Sequence, residues 1–90
     1  MRSLVHSSQF RKDYKKAARQ RKDMDLLREV VEVLAAGEMV DAKFRDHALS
    51  GNWMGYRELH LKSDWLLIYK LTTEELRLAR VGSHSELFSK

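Results

Sequence analysis

The chain has 90 residues, 17 of them basic and 13 acidic, with a net charge of +4 and neither cysteine nor proline. A single domain of this length buries only about 60–65% of the surface its unfolded form exposes, so its stability is modest and a bound partner adds to it. Without cysteine, disulfides, a thiolate nucleophile and a zinc–thiolate centre are excluded.

In chain order, SLVHS reads as a short first strand. Ser7 or Ser8 is placed to cap a helix whose apolar positions Phe10, Tyr14, Ala17 and Ala18 follow helical spacing. The rest of that helix is basic. Residues 1 to 30 hold nine Lys/Arg and four Asp/Glu, giving +5, whereas residues 31 to 90 hold eight and nine, giving −1. The excess sits at Arg11, Lys12, Lys15, Lys16, Arg19, Arg21 and Lys22. Such a block either forms a solvated helix face or attracts a polyanion: nucleic acid, an acidic protein surface or anionic lipid.

Asp23 caps a second predicted helix, MDLLREVVEVLAA. Its stripe of Leu27, Val30, Val31 and Leu34 ends at Gly37. A connection of about four residues sets the two helices antiparallel. From Phe44 onward the helical period is lost. SGNWMG is turn-rich, YRELHLK and WLLIYKL read as strands around SD, TTEE is another turn, and LRLARV is a further strand. HSELF is expected as a last short strand or an irregular tail.

These elements predict an α+β fold, two N-terminal antiparallel helices packed on a twisted, mainly antiparallel sheet, in one domain over residues 1–90. With helices on one face only, the other stays wet and its strands can carry polar side chains at every second position. Tyr56, Glu58 and His60 share that face, opposite Arg57, Leu59 and Leu61. Trp65, Leu67 and Tyr69 are expected to form an aromatic floor beside the polar row. The longest apolar run, Trp65 to Tyr69, is five residues, against roughly 20 for a membrane span. MRSLVHSSQF lacks a signal-peptide core, so a soluble, unprocessed, cytoplasmic chain with no membrane association is expected.

Four histidines are present: His6, His47, His60 and His84. His6 reads as a surface or core residue. The other three lie in polar or turn-like contexts and carry chemistry only if they converge. Imidazoles with Glu58 or Asp64 can hold a divalent ion, but no H-x-x-x-H pair occurs and neither a metal nor a cofactor is expected. The alternative is acid–base attack on a phosphodiester. One imidazole takes the proton of a ribose 2′-hydroxyl, another gives a proton to the leaving 5′-oxygen, and Arg or Lys stabilises charge on the phosphorus oxygens. Arg80 is the better placed of the strand arginines for phosphate. Trp53 reads as a lid over the core, and Phe88 as a tail staple or a base-stacking group.

The series FRDHALSGNWMGYRELHLKSDWLLIYKL and then LRLARVGSHSELF resembles the YafQ branch of the RelE/ParE toxin superfamily. The pattern there runs D-H-x-L-x-G, G-x-R-[DE]-x-H, D-W-[IL]-L-I-Y and R-x-G-[TS]-H-x-x-L-F. SSQFRKDYKKAARQRKDMDLL extends the likeness over nearly the whole chain. The resemblance implies a RelE-like fold of the microbial-ribonuclease type and an mRNA endonuclease acting in the ribosomal A site without metal. It also implies a cognate antitoxin of the DinJ/RelB kind, with a ribbon-helix-helix domain, through which alone operator DNA is bound.

By the same likeness the catalytic set falls on His47, His60, Asp64, His84 and Phe88, supported by Glu58 and the phosphate-binding Arg80. His60 or His47 is the implied base, His84 the acid, and Asp64 or Glu58 fixes a tautomer. The basic residues 11, 12, 15, 16, 19, 21 and 22 would meet ribosomal RNA. Glu58 stands where aspartate is found in the family, Ala48 and Ser63 replace prolines, and Met54 replaces a frequent lysine. Two rival readings are a non-catalytic ParE-like toxin that binds gyrase and a plain RNA-binding module.

Overall fold

The structure, a computed structural model, describes residues 1–88. Ser7 has an extended backbone and its Oγ accepts the Phe10 N–H at 2.8 Å. Helix α1 therefore starts at Ser8 and runs Ser8–Arg19; such a cap contributes about 1 kcal/mol. It buries only Phe10 and Ala17. Helix α2, Met24–Ala35, is capped by Asp23 and buries Leu27, Val30, Val31, Leu34 and Ala35. Gly37 ends it at φ 80°, a left-handed conformation that costs glycine little.

Five strands form one sheet: β1 Ser3–His6, β2 His47–Ala48, β3 Arg57–Lys62, β4 Trp65–Leu71 and β5 Glu75–Gly82, in the order β1-β5-β4-β3-β2. β1 runs parallel to β5 and all other pairs are antiparallel. The two predicted helices and the strand meander are thus borne out, with α1 and α2 packed on one face.

That helix-covered face holds Leu59, Leu61, Trp65, Leu67, Tyr69, Leu76, Leu78 and Val81 against Phe10, Leu27, Val30 and Leu34. Two expectations are corrected here. Trp65, Leu67 and Tyr69 belong to this core and not to the polar row. The floor beside Glu58 and His60 is instead Leu66 and Ile68, which are fully buried. Leu87 packs on that floor with Leu49, Trp53 and Tyr56 around it, so part of the outer face is dry. Each such side chain contributes about 1.5–3 kcal/mol by leaving water. Trp53 meets Tyr56 edge-on at 5.3 Å, as a lid should.

The second correction concerns HSELF, which is neither strand nor tail but a short helix α3, His84–Phe88. Ser83 Oγ accepts the Glu86 N–H at 3.2 Å, and Glu86 Oε1 accepts the Ser83 N–H at 2.8 Å. This reciprocal box starts the helix. Glu86 also pairs with Lys16 of α1. The Lys16 ammonium, then the Ser83 N–H, hold its carboxyl at about 2, well below the usual value. Gly82 leaves the space this needs, since a Cβ there would lie 2.9 Å from Glu86 Oε1 and 3.3 Å from Leu87.

Candidate active site

Register brings the polar residues together. His47 lies opposite Glu58 across the β2–β3 pair, while Glu58 and His60 stand above Ile68 and Leu66 on β4. Helix α3 then carries His84 and Phe88 to the same surface. Ring centroids run in a row, 6.1 Å from His47 to His60, 5.7 Å from His60 to His84 and 6.3 Å from His84 to Phe88.

Each end of the row has its own carboxylate. Glu58, with a side chain only 6% exposed, places Oε1 at 3.4 Å from Nε2 of both His47 and His60. Asp64, 64% exposed, places Oδ1 at 3.0 Å from both the backbone N–H and Nδ1 of His84. The His84 backbone N–H, and then its imidazole, hold the Asp64 carboxyl below the usual range. Because a carboxylate can only accept, His84 carries its proton on Nδ1 in this contact, leaving Nε2 for chemistry. Burial, then the nearby Arg45 charge, push the His60 imidazole below its ordinary value, against the opposing pull of Glu58. His60 is thereby kept a neutral proton acceptor near pH 7.

The loop before β2 is fixed from below. Asp46 accepts from Arg57 Nε at 2.8 Å and from the Tyr69 hydroxyl. Burial, then Asp46, push the Tyr69 phenol up, so it remains a donor. With Asp46 anchored on the helix side, Arg45 turns to the left-handed region, φ 51° and ψ 47°, at a cost of roughly 1–2 kcal/mol for a residue with a Cβ. The Arg45 carbonyl accepts from His47 Nδ1 at 2.8 Å, and Arg45 Nη2 lies 3.4 Å from His60 Nδ1. Sequence reasoning did not single out Arg45, and it met Asp46 only as the first letter of the D-H-x-L-x-G pattern, with no role. Their partners are 11, 15 and 23 residues away, and only a positive φ at a non-glycine marks the bend.

Arg80 is placed differently from the other candidates. Its Nε and Nη2 donate to the Asp13 carboxylate at 2.8 and 3.1 Å. The half of β5 beyond Leu78 has no strand on its outer side, since β1 ends at His6. Asp13 covers that open edge and also accepts the Val81 N–H at 3.2 Å. Arg80 thus faces α1, and Asp13 raises its pKa further.

Arg11, Lys12, Lys15, Lys16, Arg19, Arg21 and Lys22 are all exposed along α1 and the loop after it. Lys16 is engaged by Glu86, and Lys22 is near enough to Asp64 to favour its ionised form. His47, Glu58 and His60 offer three ligand atoms within 4.8 Å of one another, a donor set of two imidazoles and a carboxylate that suits zinc or copper.

Fold and site together define a small α+β domain with three imidazoles and two carboxylates gathered at one sheet surface. The chain matches the family model of the bacterial toxin of type II toxin–antitoxin systems, YafQ, over residues 2–89, and it belongs to that family. It is 42% identical over 88 residues to the mRNA interferase toxin YafQ of Escherichia coli K12, covering 97% of this chain and 96% of that one. The toxin in the crystal structure of the E. coli DinJ–YafQ toxin–antitoxin complex is similar at TM-score 0.91 and 42% identity, over 98% of each chain. A metal-bound toxin from Helicobacter pylori is similar at TM-score 0.92 and 41% identity, over 98% of this chain and 100% of that one.

Proposed function

We propose that this toxin is an mRNA endoribonuclease that cuts transcripts in the ribosomal A site by metal-independent acid–base catalysis. The observation that carries the reading is the row of three imidazoles with a separate carboxylate at each end. Glu58 accepts the Nε2 proton of His60, leaving the Nδ1 lone pair to take the proton of the ribose 2′-hydroxyl. The 2′-oxygen bonds to phosphorus, the bond from phosphorus to the 5′-oxygen breaks, and His84 Nε2 protonates that oxygen. Asp64 holds the His84 imidazolium that donates, and His47 shares the Glu58 carboxylate. Phe88, 38% exposed beside His84, stacks on a base. Arg80 reaches a phosphate only by releasing Asp13. Products carry a 2′,3′-cyclic phosphate or 3′-phosphate and a 5′-hydroxyl.

The exposed basic face of α1 docks on ribosomal RNA with steep salt dependence. A cognate antitoxin, by likeness to the DinJ–YafQ complex, covers the toxin and alone carries it to operator DNA. No helix among the described residues is long and apolar enough to cross a membrane, which accords with action in the cytoplasm.

Induced expression of wild type beside His84→Ala, with 5′ ends of cellular mRNA mapped, tests the reading. Growth arrest with in-frame cuts by wild type alone is the expected result. Arrest by both proteins without cuts would indicate a ParE-like binding toxin. RNA retention by both without arrest would indicate a plain binding module. A second reading rests on the three convergent ligand atoms of His47, Glu58 and His60. An ion there would take the place of the Nε2 proton that Glu58 accepts from His60, so activity that survives a zinc-selective chelator and falls with added zinc supports the first reading.

A further inference from the structure

We infer that Arg45 binds the scissile phosphate, in a cleft beside His60. The inference rests on the endoribonuclease reading above and deepens it. Two arginines are available near the histidine row, and their partners differ in kind. Arg80 donates two hydrogen bonds to a carboxylate whose side chain is 9% exposed, and leaving that partner strands a nearly buried charge. Among the described residues Arg45 has one polar side-chain contact, a long one of 3.4 Å to the neutral acceptor Nδ1 of His60. A dianionic or monoanionic phosphate group offers a guanidinium far more than an imidazole lone pair does. Exchange of one for the other is therefore favourable at Arg45 and opposed at Arg80.

The exchange also serves the chemistry. While Arg45 donates to His60 Nδ1, the lone pair that would take the 2′-proton is covered. When the guanidinium turns to the phosphate, Nδ1 is exposed beside it, and the positive charge lies where charge builds on the phosphorus oxygens. A cleft of about 430 Å³ adjoins this position, with Lys43, Arg45 and Lys62 among its walls and Asp23 as its acidic member. Lys62 lies 3.8 Å from Asp23, whereas Lys43 and Arg45 have no carboxylate within salt-bridge distance among the described residues. The backbone adds independent support. Arg45 occupies a left-handed conformation that glycine or asparagine fills at less cost. Asp46, tied to Arg57 and Tyr69, keeps it there and aims its side chain at His60.

The test compares wild type, Arg45→Gly and Arg45→Lys as full chains. Glycine suits the positive φ, so Arg45→Gly removes the guanidinium while preserving the bend that carries His47. The first readout is binding of adenosine 3′-monophosphate, followed through the histidine ring signals by NMR. Arg45→Gly is expected to bind at least tenfold more weakly, and Arg45→Lys between the two. The second readout is single-turnover cleavage of ribosome-bound mRNA, where Arg45→Gly should lose about 10²–10³-fold. A third is its pH profile. Arg45, Glu58, His47 and His84 all face His60, and loss of the Arg45 charge alone should shift the acid limb upward. Nucleotide binding by Arg45→Gly within twofold of wild type would overturn the inference. If wild type leaves ribosome-bound mRNA intact while nucleotide binding still needs Arg45, the endoribonuclease reading falls and the phosphate site stands. If wild type and Arg45→Gly bind and cut alike, the phosphate site falls and the reading stands.

Discussion

Glu58 and Asp64 are both carboxylates beside imidazoles, yet they sit in opposite environments. Glu58 is shut between the sheet and two histidines, and its distances of 3.4 Å are those of charge proximity. Asp64 stands in solvent and holds His84 by two hydrogen bonds of 3.0 Å, one of them from the backbone. The buried half depends on dielectric and on strand register, while the exposed half depends on hydrogen-bond geometry at the start of α3. In the proposed mechanism the neutral acceptor lies in the first, and the charged donor lies in the second, near water.

The strongest way to break this division is to remove an imidazole. His60→Ala and His84→Ala should each lower single-turnover cleavage by about 10²–10⁴-fold, with ribosome association nearly kept. A far smaller loss in either would mean that His47 can replace it. The carboxylates then separate the halves. Glu58→Gln keeps the size but removes the charge, and an amide cannot support a proton moving onto His60, so about 10²-fold is expected. Asp64→Asn should cost about tenfold, because an amide oxygen still accepts from the His84 N–H and Nδ1–H. Equal losses in the two variants would show that burial does not distinguish them.

Acidity sharpens the same contrast. The His60 pKa is lowered in the fold, chiefly by burial and then by Arg45. The acid limb of the rate profile should therefore lie below the ordinary histidine value of about 6.5. Glu58→Gln removes a raising influence and should move that limb further down, whereas Arg45→Gly should move it up. The effect on stability has a definite sign. Folded His60 binds a proton less readily than the unfolded chain does, so stability is full above about 6.5 and falls as pH drops through the folded value. Glu86, held at about 2 against an ordinary 4.5, contributes fully above 4.5 and loses its contribution as pH falls toward 2. Thermal unfolding between pH 3 and 7 checks both.

Helices α1 and α2 were legible because Ser7, Asp23 and Gly37 mark their ends and their apolar spacing is long enough to show a period. The polar row on β3 was legible by alternation. The floor beneath it was not, since WLLIY is apolar on both faces and its parity depends on pairing with β3. That pairing shifts register between His60 and Lys62, which no local pattern in either strand records. Helix α3 spans five residues, too short for periodicity, yet Ser83-x-x-Glu86 was a readable capping box. Asp13 was hidden for another reason. It lay in a basic block that reads as a solvated face, and its partner Arg80 is 67 residues away.

The smallest effect belongs to the staple that joins α3 to α1. Lys16 and Glu86 are 50% and 32% exposed, so the ion pair itself contributes about 1 kcal/mol or less. Glu86 does more than pair, because its other oxygen satisfies the Ser83 N–H ahead of His84. Lys16→Ala should thus change unfolding free energy by under about 1 kcal/mol and leave cleavage close to wild type. Glu86→Ala removes the cap as well and should cost about 1–2 kcal/mol. It should also lower cleavage severalfold, since His84 and Phe88 both ride on α3. If Lys16→Ala matched Glu86→Ala in both measurements, α3 would be held by charge and not by its cap, and the exposed half of the site would weaken sharply with salt.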